Sequence, residues 1–130
     1  MSTARIRLQS LLALDSATCA AMGVLLLAAS DTIAALTHLP ASLLFWAGAV
    51  LLPIAAFFGG LSRVQQVPRW AIMVVVAGNV AWVLASIALP ALGLVQPNAL
   101  GWFFLLGQAA VVLLLAILEY CAPTTATVTR

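Results

Sequence analysis

Four long apolar runs, separated by short polar breaks, organise this chain from end to end. They fall at about residues 9–36, 41–61, 70–94 and 99–121. Each is long enough for the roughly 20 residues of helix that cross a hydrocarbon core. The breaks are Thr37-His-Leu-Pro40, the stretch from Ser62 to Arg69, and Val95-Gln-Pro-Asn98. Pro40, Pro68 and Pro97 stand where helices should begin, because a fixed φ and a missing N–H suit a first turn. Pro53 and Pro90 fall inside or near the ends of runs and are expected to bend them, which lipid-embedded bundles tolerate. Connections this short force antiparallel neighbours. The pattern therefore predicts an all-α fold, an integral membrane antiparallel four-helix bundle forming one domain over residues 1–121. The tail, residues 122–130, has nothing to bury and reads as disordered.

Composition narrows the class. Hydrophobic residues make up 65% of the chain and charged residues 6%, against roughly 45–50% and 25% in soluble domains. Lipid must be the solvent for so apolar a surface. A net charge of +2 without a basic cluster leaves no nucleic-acid footprint. Arg5 and Arg7 before an apolar stretch resemble a signal peptide, but that stretch runs well past an h-region of roughly 7–15 residues. An uncleaved first span is expected. Cys19 and Cys121 belong to no CxxC or Cys/His pattern and read as free, small apolar residues.

Charge placement sets the orientation. Arg5, Arg7, Arg63, Arg69 and Arg130 all fall on one side of the four-span topology, and the other two breaks carry no arginine. By the positive-inside rule both termini are cytoplasmic, as expected for a multi-pass protein of a bacterial inner membrane. Trp70, Trp102 and Tyr120 near span ends suit interfacial anchoring. Pro40-Ala-Ser-Leu-Leu-Phe-Trp46 and Pro97-Asn-Ala-Leu-Gly-Trp-Phe103 hint at a repeat of two hairpins, although Leu/Ala-rich sequence produces such matches by chance.

The few polar residues inside the spans carry the functional information. A carboxylate at membrane depth costs roughly 2.5–3.5 kcal/mol on insertion scales, and Asp15 is placed there. Helical periodicity puts Asp15 on one face with Thr18, Cys19 and Met22. It aligns Asn79, Trp82 and Ser86 on the third span, and Gly101, Gln108 and Glu119 on the fourth. Counting ~1.5 Å per residue from the arginine-bearing side, Asp15 lies roughly 9 Å in, Asn79 roughly 13 Å in, and Glu119 about one turn in. Asp15, Asn79 and Glu119 can thus converge on the cytoplasmic half, with Gln108 nearer the midplane, and Asp15, Asn79, Trp82, Gln108 and Glu119 are the candidates for a ligand- or proton-binding site. The plainer alternative makes the amides interhelical glue and Glu119 an interfacial residue that reaches the headgroups or an arginine.

Other features point to less. Asp31 and His38 would share a face if the first helix ran through both, but one His and one Asp do not make a metal site. Ala77, Ala81 and Ala85 form a small-residue ladder suited to close helix packing, within the protomer or against another. No phosphate loop, zinc motif or catalytic triad is present, so neither catalytic residues nor a cofactor are assigned.

Asp15 and Gly23, Gly78-Asn79-x-x-Trp82-Val83, and Leu106-Gly-Gln108-Ala109 resemble a group of short, uncharacterised bacterial inner-membrane proteins over nearly the whole chain. That resemblance implies a four-helix membrane fold and brings no activity with it. The small multidrug-resistance transporters are similar in size, span count and an early acidic residue matched here by Asp15. They share no further motif, and this chain has a fixed orientation. Vitamin K epoxide reductases and DsbB-like enzymes are similar only in helix count, and the CxxC motif they need is missing.

The expected function is a non-enzymatic, membrane-embedded binding or accessory protein with a polar intramembrane site. The alternative is a proton-coupled transporter of a small lipophilic solute using Asp15. A third possibility is an intramembrane enzyme with Asp15 and Glu119 as acid and base, which requires their carboxyls to lie within about 10 Å of each other. The partners expected are membrane lipid, a small hydrophobic ligand, and a second copy or another membrane protein.

Overall fold

The computed structural model describes residues 2–122, with side chains from Leu8 onward. The expected tail over 123–130 lies outside the described residues. Four helices follow in chain order: α1 (Ser2–Thr37), α2 (Ala41–Ser62), α3 (Arg69–Ala91) and α4 (Ala99–Cys121). Each contains a stretch long and apolar enough to cross a membrane, and the chain is a multi-pass, all-helical membrane protein.

The turns between helices follow local chemistry. Pro40 and Pro68 are the N-caps of α2 and α3, with φ of −62° and −66°. Pro97 stops one residue short of that role, and Asn98 caps α4 by accepting from the Gly101 amide at 2.8 Å. Asn98 also donates to the Leu36 carbonyl at 2.9 Å, and its amide donates to Thr37 at 3.1 Å. The end of α1 is thereby tied to the start of α4.

Helix boundaries depart from the hydrophobic pattern in two places. Helix α1 starts at Ser2, well before residue 9, because Arg5, Arg7 and Gln9 interrupt the apolar run without breaking the helix. Helix α3 ends at Ala91, short of residue 94. Gly93 takes a φ of +77° there, and the Leu92 amide closes on Ala88 at 2.8 Å, an ending that needs a residue tolerant of the left-handed region. Pro53 lies within α2 and Pro90 in the last turn of α3. The non-helical backbone of α1, however, is at Ala29 (φ −125°, ψ 26°), away from any proline. Helix α1 stops at Thr37, and His38 turns away at φ +62°, so Asp31 and His38 do not share a continuous helical face.

Packing pairs α1 with α2 and α3 with α4, and joins the pairs through α1 and α4. The α1–α2 contact is the tightest, and two glycines make it possible. A Cβ on Gly48 would lie 2.8 Å from the Gly23 carbonyl oxygen and 2.9 Å from Leu26. Ser16 donates to the Ala55 carbonyl at 2.7 Å across the same seam, where Gly59 leaves it room. Ala77, Ala81 and Ala85, in contrast, are exposed on α3, and Ala85 borders a cavity of about 170 Å³. Trp70 and Tyr120 are exposed at the arginine-bearing end, where the Arg69 guanidinium lies 5.9 Å from the Tyr120 ring centre.

Candidate functional site

Three of the five candidate residues meet. Asp15 of α1, Asn79 of α3 and Glu119 of α4 are 1%, 5% and 0% exposed. The Asn79 side-chain nitrogen donates to Asp15 Oδ2 at 2.8 Å and to Glu119 Oε1 at 3.0 Å. A primary amide has two N–H groups, and here they are divided between two carboxyl groups on two other helices. Because both accept from the same nitrogen, Asp15 Oδ2 and Glu119 Oε1 lie within about 6 Å of each other, inside the ~10 Å separation beyond which they could not serve one centre.

Glu119 does not reach outward. Although it sits in the last turns of α4, Leu8 and Leu12 of the extended α1, with Ala71 and Val75 of α3, are fully buried at the same end of the bundle. These residues lie one and two helical turns from Asp15 and Asn79 on their own faces. They cap the polar cluster toward the arginine-bearing side.

The remaining acceptors are unequally served. Cys19, one turn from Asp15, points its thiol at Asp15 Oδ1 from 3.7 Å. Helical periodicity places Cys19 on this face, and the residue expected to serve as a small apolar filler has its thiol against a carboxyl. Glu119 Oε2 is buried without any hydrogen-bond partner, an unusual state for a buried polar atom. With both Asn79 protons committed, no further donor among the described residues serves Glu119 Oε2.

Trp82 and Gln108 form a separate cluster one turn of α3 further along. The Trp82 indole donates to Gln108 Oε1 at 2.6 Å, while the Gln108 amide donates to Ser86 Oγ at 2.8 Å and to the Leu105 carbonyl at 2.9 Å. Ser86 returns a bond to the Trp82 carbonyl at 2.8 Å. Every donor in this group has an acceptor, so the network is closed and ties α3 to α4. The acid–amide cluster is open by contrast, with two acids, one amide and an orphan oxygen.

A cavity of about 260 Å³ between α1 and α4 connects the two, with Asp15, Cys19, Trp82 and Gln108 in its walls. Among the described residues, no group of three or more His, Cys, Asp and Glu side chains is placed to hold a metal ion. No protein-family model, curated protein or solved structure matches the chain.

Proposed function

We propose that this is a non-enzymatic, membrane-embedded binding protein of a bacterial inner membrane, with both termini in the cytoplasm. Its site is the Asp15–Asn79–Glu119 cluster and the adjoining cavity, which take a small lipophilic ligand and hold one exchangeable proton between the two acids. The observation that carries this reading is the orphan Glu119 Oε2 in a fully buried acid pair. A cluster kept only as helix glue would be closed, as the Trp82–Gln108–Ser86 group is.

The test is infrared spectroscopy of the protein in lipid discs. A protonated carboxylic acid C=O band is expected near neutral pH, shifted in Asp15→Asn and in Glu119→Gln and lost when both are combined, while the helical signal stays intact. A wild-type spectrum showing only carboxylate bands removes the shared proton. A reporter fused after Arg130 should be active in the cytoplasm, and periplasmic activity would overturn the orientation.

The second reading, proton-coupled transport of a lipophilic solute, is favoured by one feature. The acid pair bridges the two helix pairs, with Asp15 on α1 and Asn79 and Glu119 on α3 and α4. Gain or loss of the proton therefore alters the contact between units that would have to move. In reconstituted vesicles this reading requires proton flux driven by a solute gradient and abolished by Asp15→Asn.

A further inference from the structure

The helix contacts leave one seam open. Helix α1 packs on α2 and α4, and α3 packs on α4, but α2 and α3 have no comparable contact. A cavity of about 340 Å³ occupies that seam, with Phe57 of α2 and Val74 and Gly78 of α3 among its sides. Cys19, Asn79 and Trp82 also line it, so it ends on the acid–amide cluster. A second cavity of about 170 Å³ continues the seam toward the far end and shares Trp82. Toward the arginine-bearing end the cluster is capped by Leu8, Leu12, Ala71 and Val75. A solute in water meets that apolar cap, whereas a molecule dissolved in the bilayer meets an open seam.

We infer that the carboxyl site is entered sideways from the bilayer, through the α2–α3 seam, by a single-chain lipophile with a protonated amine head. This rests on reading the Asp15–Asn79–Glu119 cluster as a binding site. The apolar sides of the seam suit a hydrocarbon chain, and its volume is that of a small-ligand site. The head follows from charge complementarity. The inner end is lined by Cys19 and Asn79, which hydrogen-bond Asp15, Asn79 also bonding Glu119, while Arg63 and Arg69 are exposed outside the cluster. An anionic head would be repelled by the two acids that Asn79 holds. An ammonium supplies both N–H donors and compensating charge, and the Trp82 indole offers a face that favours cations.

The probe is a decylamine carrying a diazirine at its tail, photolysed with the full chain in discs of zwitterionic lipid. Labelled residues are then located by peptide mass spectrometry. Label is expected on Phe57 and Val74, displaced by unlabelled decylamine and not by decanoate. Gly78→Phe should reduce it by at least about tenfold, equivalent to roughly 1.4 kcal/mol of binding. A Cβ at Gly78 meets nothing within 4 Å, so the variant has room to fold. Gly107, beside the α1–α4 cavity, has the same open space, and Gly107→Phe reports on the opposite side. Label confined to α1 and α4 and lost in Gly107→Phe overturns the route. Equal displacement by decanoate overturns the amine head. Seam label that survives Asp15→Asn undiminished overturns both the inference and the site reading. An intact protonated-carboxyl band with no seam label overturns the inference alone.

Discussion

Asn79→Leu is the substitution that loads the most onto one side chain. It keeps approximate volume and removes both N–H donors, leaving Asp15 Oδ2 and Glu119 Oε1 to join Glu119 Oε2 without that support. Hydrogen bonds to charged groups contribute about 1.5–3 kcal/mol each in soluble proteins. Interhelical bonds in bilayers average about 0.6 and reach about 1.7 kcal/mol. Two bonds therefore bracket the loss between about 1 and 6 kcal/mol. Both acceptors are buried where lipid offers no replacement donor, which places the expectation at about 2–4 kcal/mol. The assay is reversible unfolding in mixed micelles as the fraction of denaturing detergent rises, followed by circular dichroism. Combining Asn79→Leu with Asp15→Leu and Glu119→Met removes the stranded acceptors, and should restore wild-type stability or exceed it. An Asn79→Leu variant within about 0.5 kcal/mol of wild type, the usual range of inconsequential surface changes, refutes the assigned role. So does a triple variant no more stable than the single one.

The same unfolding assay checks the packing. Gly48→Ala drives a methyl into the Gly23 carbonyl and Leu26, and should destabilise by about 1–3 kcal/mol, the usual range for overpacking. Gly78→Ala, with open space around its Cβ, should instead gain up to about 1 kcal/mol from helix propensity. His38→Gly relieves a left-handed residue at φ +62° and should raise stability by up to about 1 kcal/mol. Gln108→Leu releases the Trp82 indole, costing about 1 kcal/mol and shifting tryptophan emission. It should leave the carboxyl infrared band unchanged, because the two clusters share no hydrogen bond.

The sequence carried the number of helices, most of their ends and the convergence of Asp15, Asn79 and Glu119. Those follow from run length, from prolines near the helix starts and from the rule that buried polar groups face one another. What it did not carry has one physical origin. In lipid the inner and outer surfaces of a helix are both apolar, so hydrophobic periodicity does not say which face is which. Ala77, Ala81 and Ala85 suit close packing within the protomer or against another and are exposed in the single chain, while the close contact inside it is made by Gly23 and Gly48. Depth counted along α4 alone leaves Glu119 open to an interfacial reading beside the converging one. The covering residues Leu8 and Leu12 belong to a stretch of α1 whose reach the hydropathy pattern underestimated. Gln108 shares a face with Glu119, yet it bonds Trp82 and Ser86 because they stand at its height.

The division into an α1–α2 pair and an α3–α4 pair also sets an order of assembly. During synthesis α1 and α2 emerge first, and their own contacts are complete: Ser16 on Ala55 and Gly23 against Gly48. Asp15 is the charged group that this hairpin leaves unserved at Oδ2, since its amide donor lies on α3 and its partner acid on α4. The first hairpin thus enters the bilayer with a carboxyl that costs roughly 2.5–3.5 kcal/mol to insert, and it stays incomplete until the second half of the chain arrives. A truncated product ending after α2 would carry that exposed acid into the membrane, a mark by which quality control can tell an unfinished chain from a finished one.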